Sequence, residues 1–189
     1  LTDSMSESEL NSRRYGLFQS DTGPVYTEFD INRHVIEPFT VPFEWQDCLS
    51  IDPGLKNPLS CHFYAVDYDG NIYVLAEHYE SGLSVEEHAK KIKDIADRIG
   101  WRKGSDGKLK SLIDSAANQK TLAGIKSVSE LFYDNGINVN SNVDKDLFTG
   151  INRVKSYFTN DRLYIFKISL KFILLDYFNC FFFDDSFNS

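Results

Sequence analysis

A chain of 189 residues that is 42% hydrophobic and 14% aromatic has the composition of one folded domain with a sizeable core, which excludes a largely disordered protein. A net charge of -8 excludes a domain that holds nucleic acid alone through a diffuse basic face, so any DNA it acts on needs another element to present it. The three cysteines, Cys48, Cys61 and Cys180, contain no CxxC pair and are odd in number, so neither a disulfide framework nor a zinc site is indicated, and the reducing cytoplasm of a host cell is expected.

Leu1 to Ser20 is polar, with Ser6-Glu7-Ser8-Glu9 and the pair Arg13-Arg14, and reads as a linker from something longer. Gly23 to Pro42 alternates prolines with apolar residues, which predicts an extended segment laid along a core surface, so residues 1–44 are expected to lead into a domain spanning 45–189. Trp45 to Asp52 is the first predicted core strand. Leu59 to Val66 and Ile72 to Glu77 follow as strands joined by Asp67-Tyr68-Asp69-Gly70-Asn71, whose Asp-Gly pair favours a tight hairpin. Ser84-Val85-Glu86-Glu87 is a capping box, and Val85, Ala89, Ile92, Ala96 and Ile99 recur at helical spacing until Gly100. Leu109 to Asp114 predicts a fourth strand, Asn118 to Asn135 a second helix closed by Gly136, and Ile137 to Asn140 a short strand. Leu147, Ile151, Val154 and Phe158 mark a third helix before a final strand, Arg162 to Phe166. The order is that of an α/β layered fold with a mixed sheet. No basic-then-apolar signal pattern is read in the first residues of this sequence, and no uncharged apolar run reaches the roughly 20 residues that span a bilayer. Ile168 to Phe183 comes nearest and is broken by Lys171 and Asp176, so no membrane association is expected.

Two segments end a hydrophobic run on an acid: Leu49-Ser50-Ile51-Asp52-Pro53-Gly54 and Lys110-Ser111-Leu112-Ile113-Asp114-Ser115-Ala116-Ala117. An acid where a buried strand runs out points into a cleft, because its desolvation in a core is costly. Two such acids suit shared divalent metals and phosphodiester hydrolysis.

Acids at the ends of the first and fourth strands of this order give the ribonuclease-H-like arrangement. Further pieces in series are Val25-Tyr26-Thr27-Glu28-Phe29, His34-Val35-Ile36, Asn57-Pro58, Gly70-Asn71-Ile72-Tyr73-Val74 with Glu77, Gly136-Ile137-Asn138-Val139, Gly150-Ile151 and Arg162-Leu163-Tyr164-Ile165-Phe166. Together they resemble the C-terminal nuclease domain of tailed-phage terminase large subunits, over roughly residues 13 to 166. The resemblance implies an endonuclease cutting concatemeric double-stranded viral DNA, whose partners are an ATPase domain, a small terminase subunit and a portal. The sequence contains no G-x-x-x-x-G-K-[ST] phosphate loop, so the ATPase half of such a motor is expected to lie outside this chain.

The resemblance also implies a metal site of three acids. Asp52 and Asp114 match the first two; Asp52 would bridge two Mg²⁺ or Mn²⁺ ions and Asp114 complete one coordination shell. The family's third acid lies in a C-terminal segment resembling D-H-x-x-D-A-x-R-Y, which this sequence lacks, and Asp184 and Asp185 are the acids left to substitute. The Phe-rich tail from Lys167 to Ser189 is atypical and reads as a truncation or an altered frame in a prophage copy. Each assignment has a plainer rival. Asp52 could begin a turn and Asp114 could cap a helix, but the ligand reading is preferred for both. Glu77 is either a third or supporting ligand, or a residue with a surface salt-bridge or structural role, the latter preferred. His62, His78 and His88 have no metal-ligand spacing and read as ordinary strand and surface positions. Lys56 and Asn57 could touch a phosphate or sit in an idle loop; Lys145, Arg153 and Lys155 could contact the DNA backbone or, beside Asp144 and Asp146, form a solvated mixed-charge face. Two other functions fit the same residues: another ribonuclease-H-like nuclease such as a junction resolvase, or a catalytically lapsed remnant serving as an interaction module.

Overall fold

The computed structural model describes residues 25–54, 58–118, 126–142 and 147–167. Seven strands form one sheet: β1 (Val35–Ile36), β2 (Gln46–Asp52), β3 (Leu59–Val66), β4 (Ile72–Glu80), β5 (Leu109–Ile113), β6 (Ile137–Asn140) and β7 (Leu163–Phe166). Their spatial order is β1-β7-β4-β3-β2-β5-β6. β2, β3 and β4 run antiparallel to their neighbours in this meander, while β5 beside β2, β6 beside β5, β7 beside β4 and β1 beside β7 are parallel. The helices are α1 (Ile31–His34), α2 (Val85–Ile99), α3 (Val128–Asp134) and α4 (Leu147–Thr159), with a 3-10 turn at Ser115–Asn118.

Alternation along the strands divides the core in two. Leu59, Cys61, Phe63 and Ala65 of β3 face the larger cluster with Leu49 and Ile51 of β2, Ile92 and Ala96 of α2 and Phe132 of α3. On the opposite face Val154 and Phe158 of α4 pack on Ile72 and Val74 of β4 and Leu163 and Ile165 of β7. Between these layers the second face of β2 and β3 carries Cys48, Ser50 and Asp52 beside Ser60 and His62, because the pleat that sends the apolar set one way sends the polar set the other.

The β3–β4 hairpin has a bulge. Phe63 pairs with Ala76 but Tyr64 pairs with Val74, so Leu75 is the extra residue. Both Leu75 and Ala76 then lie against the larger core, and Glu77 falls opposite His62. At the hairpin tip Gly70 has φ +76, and Asp67 Oδ1 accepts from the backbone N–H of Asp69 and Asn71 at 2.9 and 2.8 Å.

Helix α2 begins and ends as its sequence specifies, with the Ser84–Glu87 capping box at one end and Gly100 in the left-handed conformation at the other. Two expectations are corrected. The segment before β2 is not wholly extended: Asp30 accepts from the Asn32 N–H at 2.8 Å to start α1, and β1 then joins the sheet at its edge. The second helix does not run unbroken from Asn118, since Ser127 and Glu130 form a second capping box that starts α3 at Val128; residues 119–125 lie outside the described residues. β4 also continues past Glu77 to Glu80, its outer positions paired with Leu59 and Ser60 of β3.

Candidate metal centre

β2 and β5 are neighbours and parallel, with Ser50 opposite Leu112 and Ile51 opposite Ile113. One step further along the same register come Asp52 and Asp114, at the C-terminal ends of both strands. Each alternates with a residue of the second face, Ser50 and Leu112, so both acids stand on that face at the rim of the sheet, with strand axes about 4.8 Å apart. Beyond Asp52 the chain turns away through Pro53 and Gly54, whose N–H donates to Asp52 Oδ1 at 3.3 Å. Beyond Asp114 the 3-10 turn begins, with the Asp114 carbonyl accepting from Ala117 N–H at 2.9 Å.

Electrostatics tie the two acids together. Burial pushes the Asp52 carboxyl above its ordinary range, and the negative charge of Asp114 pushes it further in the same direction, while the Gly54 N–H and His62 work against the rise. A divalent cation is a natural partner for two carboxylates at one half-buried rim. The residues fit that group: all-oxygen donors suit Mg²⁺ and Mn²⁺.

Next to the acids the strands bring together a second set that the sequence did not reveal. Ser60 is paired with Asp52, and His62, two residues on, is paired with Ser50 on one side and Glu77 on the other. His62 Nε2 lies 3.0 Å from Glu77 Oε1, and His62 Nδ1 lies 3.4 Å from Ser60 Oγ. Glu77 is therefore a partner of His62 rather than a direct neighbour of Asp52, and it is buried rather than superficial. His78 and His88 also meet, Nε2 to Nδ1 at 2.8 Å, but on the opposite face beneath α2. Among the described residues, no three His, Cys, Asp or Glu side chains are already gathered into a metal-holding group.

The other expected site residues divide by position. Lys155 and Arg153 lie on α4, which packs over the β4–β7 side of the sheet, away from β2 and β5. Lys56, Asn57, Lys145, Asp184 and Asp185 lie outside the described residues. Among the described residues no helix is long and apolar enough to cross a membrane.

A mixed sheet of antiparallel and parallel strands, flanked by helices and ending two adjacent strands in acids, is the ribonuclease-H-like nuclease fold. Residues 49–181, more than half of the chain, match the family model for the terminase RNaseH-like domain, and the chain belongs to that family. The match starts later than the expected resemblance, at β2, and extends past β7 into residues beyond the described ones.

Solved structures agree on the fold. The large terminase nuclease domain of phage P22 superposes with a TM-score of 0.63 at 14% identity, covering 77% of this chain and 73% of that one. The large terminase nuclease of thermophilic phage G20c gives 0.51 at 13% identity, covering 79% and 77%. The large terminase of a second thermophilic bacteriophage gives 0.56 at 20% identity over 76% of this chain, which spans only 34% of that chain's length. No curated protein matches the chain by sequence.

Proposed function

We propose that this chain is the metal-dependent endonuclease portion of a viral DNA-packaging terminase large subunit, and that it cuts double-stranded DNA with Asp52 and Asp114 as its metal-holding acids. The observation that carries this reading is the register of β2 and β5, which sets the two carboxylates side by side at one rim of the sheet, on the polar face. Burial first, and the charge of Asp114 after it, raise the Asp52 carboxyl, and a bound cation would offset both.

When bound, the divalent ions supply activation of the attacking water and stabilisation of the leaving oxygen. Asp52, one carboxylate oxygen of which accepts from the Gly54 N–H, would hold the ions from the end of a fully paired strand, and Asp114 would hold them from the end of the adjacent strand. No recognition helix or zinc finger accompanies the site in the sequence, so cleavage is expected to show little sequence preference. The net negative charge of the chain fits DNA presented by a separate motor, and the ATPase domain, small subunit and portal are the partners that the family resemblance implies.

A plasmid-nicking assay with Mn²⁺ tests the reading. The chain nicks supercoiled DNA, and Asp52→Asn and Asp114→Asn each reduce the rate by at least about 100-fold, the scale expected on removing part of a metal site. Nicking that survives in Asp52→Asn rejects the assignment, and absence of nicking in the wild type together with absence of metal binding favours the inactive interaction module instead.

A further inference from the structure

Three strands set a polar row beside the acid pair: Ser50 of β2, His62 of β3 and Glu77 of β4, with Ser60 of β3 directly opposite Asp52. Glu77 is the unusual member. Its side chain is 4% exposed; one carboxylate oxygen contacts His62, and the other, Oε2, is buried without a hydrogen-bond partner. Burying a carboxylate with one imidazole contact is a poor exchange for stability alone, since a buried polar atom left unsatisfied keeps its desolvation penalty. What the arrangement does achieve is to fix a ring. A carboxylate only accepts, so beside Glu77 as a carboxylate the neutral His62 ring carries its proton on Nε2 and keeps the Nδ1 lone pair on the opposite edge of the imidazole. That edge points to Ser60, the cross-strand partner of Asp52, and the side chain is 22% exposed. A histidine that donates one ring N–H to a carboxylate and presents its other nitrogen is the arrangement in which metal-binding histidines are held.

Resting on the reading of Asp52 and Asp114 as a divalent-ion site, we propose that His62 is a nitrogen ligand of that centre, oriented by Glu77 from the neighbouring strand. Asp52 and His62 are diagonal neighbours on one face; no three-ligand cage stands ready among the described residues, so the acids come to the ion by rotation about χ1 and χ2 while Glu77 keeps the imidazole in place. The third ligand of the centre is thereby drawn from the sheet, next to the strand that carries Asp52. A mixed nitrogen and oxygen donor set has a further consequence. Imidazole suits first-row transition ions, whereas Mg²⁺ keeps to oxygen, so the centre selects Mn²⁺ over Mg²⁺.

Mn²⁺ titration of the full chain, followed by pulsed electron paramagnetic resonance, tests this without DNA cleavage. The wild-type complex shows the ¹⁴N coupling of a directly bound imidazole. In His62→Gln that coupling disappears and Mn²⁺ affinity falls; in Glu77→Gln the coupling stays while affinity falls about 10- to 100-fold, as for loss of a carboxylate behind a ligating histidine. Mn²⁺ that binds in an Asp52-dependent way with oxygen couplings only overturns the role of His62 and leaves the acid pair standing. Nitrogen-coupled Mn²⁺ that persists unchanged in Asp52→Asn places the ion elsewhere and overturns both readings, as does a wild-type chain that binds no Mn²⁺. The wild-type spectrum decides the point even if a substituted chain misfolds.

Discussion

Asp52 and Asp114, 62 positions apart in the chain, end adjacent parallel strands one step beyond the paired residues Ile51 and Ile113. Without metal this proximity is a burden on the fold. Burial and the Asp114 charge raise the Asp52 carboxyl, so the folded chain binds this proton more tightly than the unfolded chain does. Its contribution to stability is therefore greatest at low pH and is lost as pH rises from the ordinary carboxylate value through the raised one. In metal-free buffer at pH 7, Asp52→Asn is expected to melt at a higher temperature than the wild type. With Mn²⁺ at about 100 times its dissociation constant the order reverses, because the wild type alone gains about 2.7 kcal/mol from binding. Calorimetry with and without Mn²⁺ measures both differences.

The His78–His88 pair gives the domain an acid limit of its own. Both rings are buried, each 6% exposed, on β4 and α2. Burial lowers both, and the neighbouring His88 charge assists in bringing His78 down to about 4. Lys91 lowers both further, whereas Glu80 opposes the shift in each. Since the unfolded rings take up protons near 6.5, the stability held by the neutral pair is complete above that pH and drains away as pH falls from 6.5 towards 4. Urea unfolding at pH 7, 5.5 and 4.5 should show this decline, and His88→Gln should flatten it.

Arg102 and Lys91 separate a useful charge contact from an idle one. Arg102 Nε meets Asp47 Oδ2 at 2.6 Å, while its two other nitrogens donate to the carbonyls of Phe43 and Trp45 at 2.9 and 2.5 Å, tying down the chain that enters β2. Arg102→Ala leaves those groups without their donor and should cost about 1–3 kcal/mol in denaturant unfolding. Lys91→Ala breaks the exposed pair with Glu80 and should cost less than about 1 kcal/mol at pH 7.

Gly70 tests the hairpin that carries His62 and Glu77. Its φ of +76 disfavours any side chain, and a Cβ there would come within 2.8 Å of Arg162 Nη2, which donates to the Asp69 carbonyl. Gly70→Ala should destabilise the chain by about 1 kcal/mol or more. Hydrogen exchange should show the loss first at the β3–β4 turn.

The sequence was most readable where local rules govern. β3 alternates Leu59, Cys61, Phe63 and Ala65 with polar partners, and the Ser84–Glu87 box and Gly100 bound α2 as the pattern required. The start of α3 carries an equally local signal: Ser127-Val128-Ser129-Glu130 has the same form as Ser84-Val85-Glu86-Glu87. The edge strand β1 was not legible. Val35 and Ile36 are two residues of ordinary type, and what makes them a strand is β7, 130 positions later. The same holds for His34, whose Nδ1 accepts from Asp30 N–H at 2.9 Å and whose Nε2 lies 3.0 Å from the carbonyl oxygen of Phe158 in α4, pinning the segment before β2 to the second core.

Periodicity tells which face of a strand a side chain occupies, because Cβ direction alternates with every residue; that much placed Asp52 and Asp114 at strand ends from the sequence alone. It does not tell which strand lies alongside, nor in what register. Those were settled by the folding of the sheet: β5 inserting next to β2, and the extra residue Leu75 shifting β4 so that Glu77 faces His62 instead of lying against the larger core. A single residue of slip exchanges the two faces of a strand, which is why the identity of the acids was written in the chain and the company they keep was decided only in three dimensions.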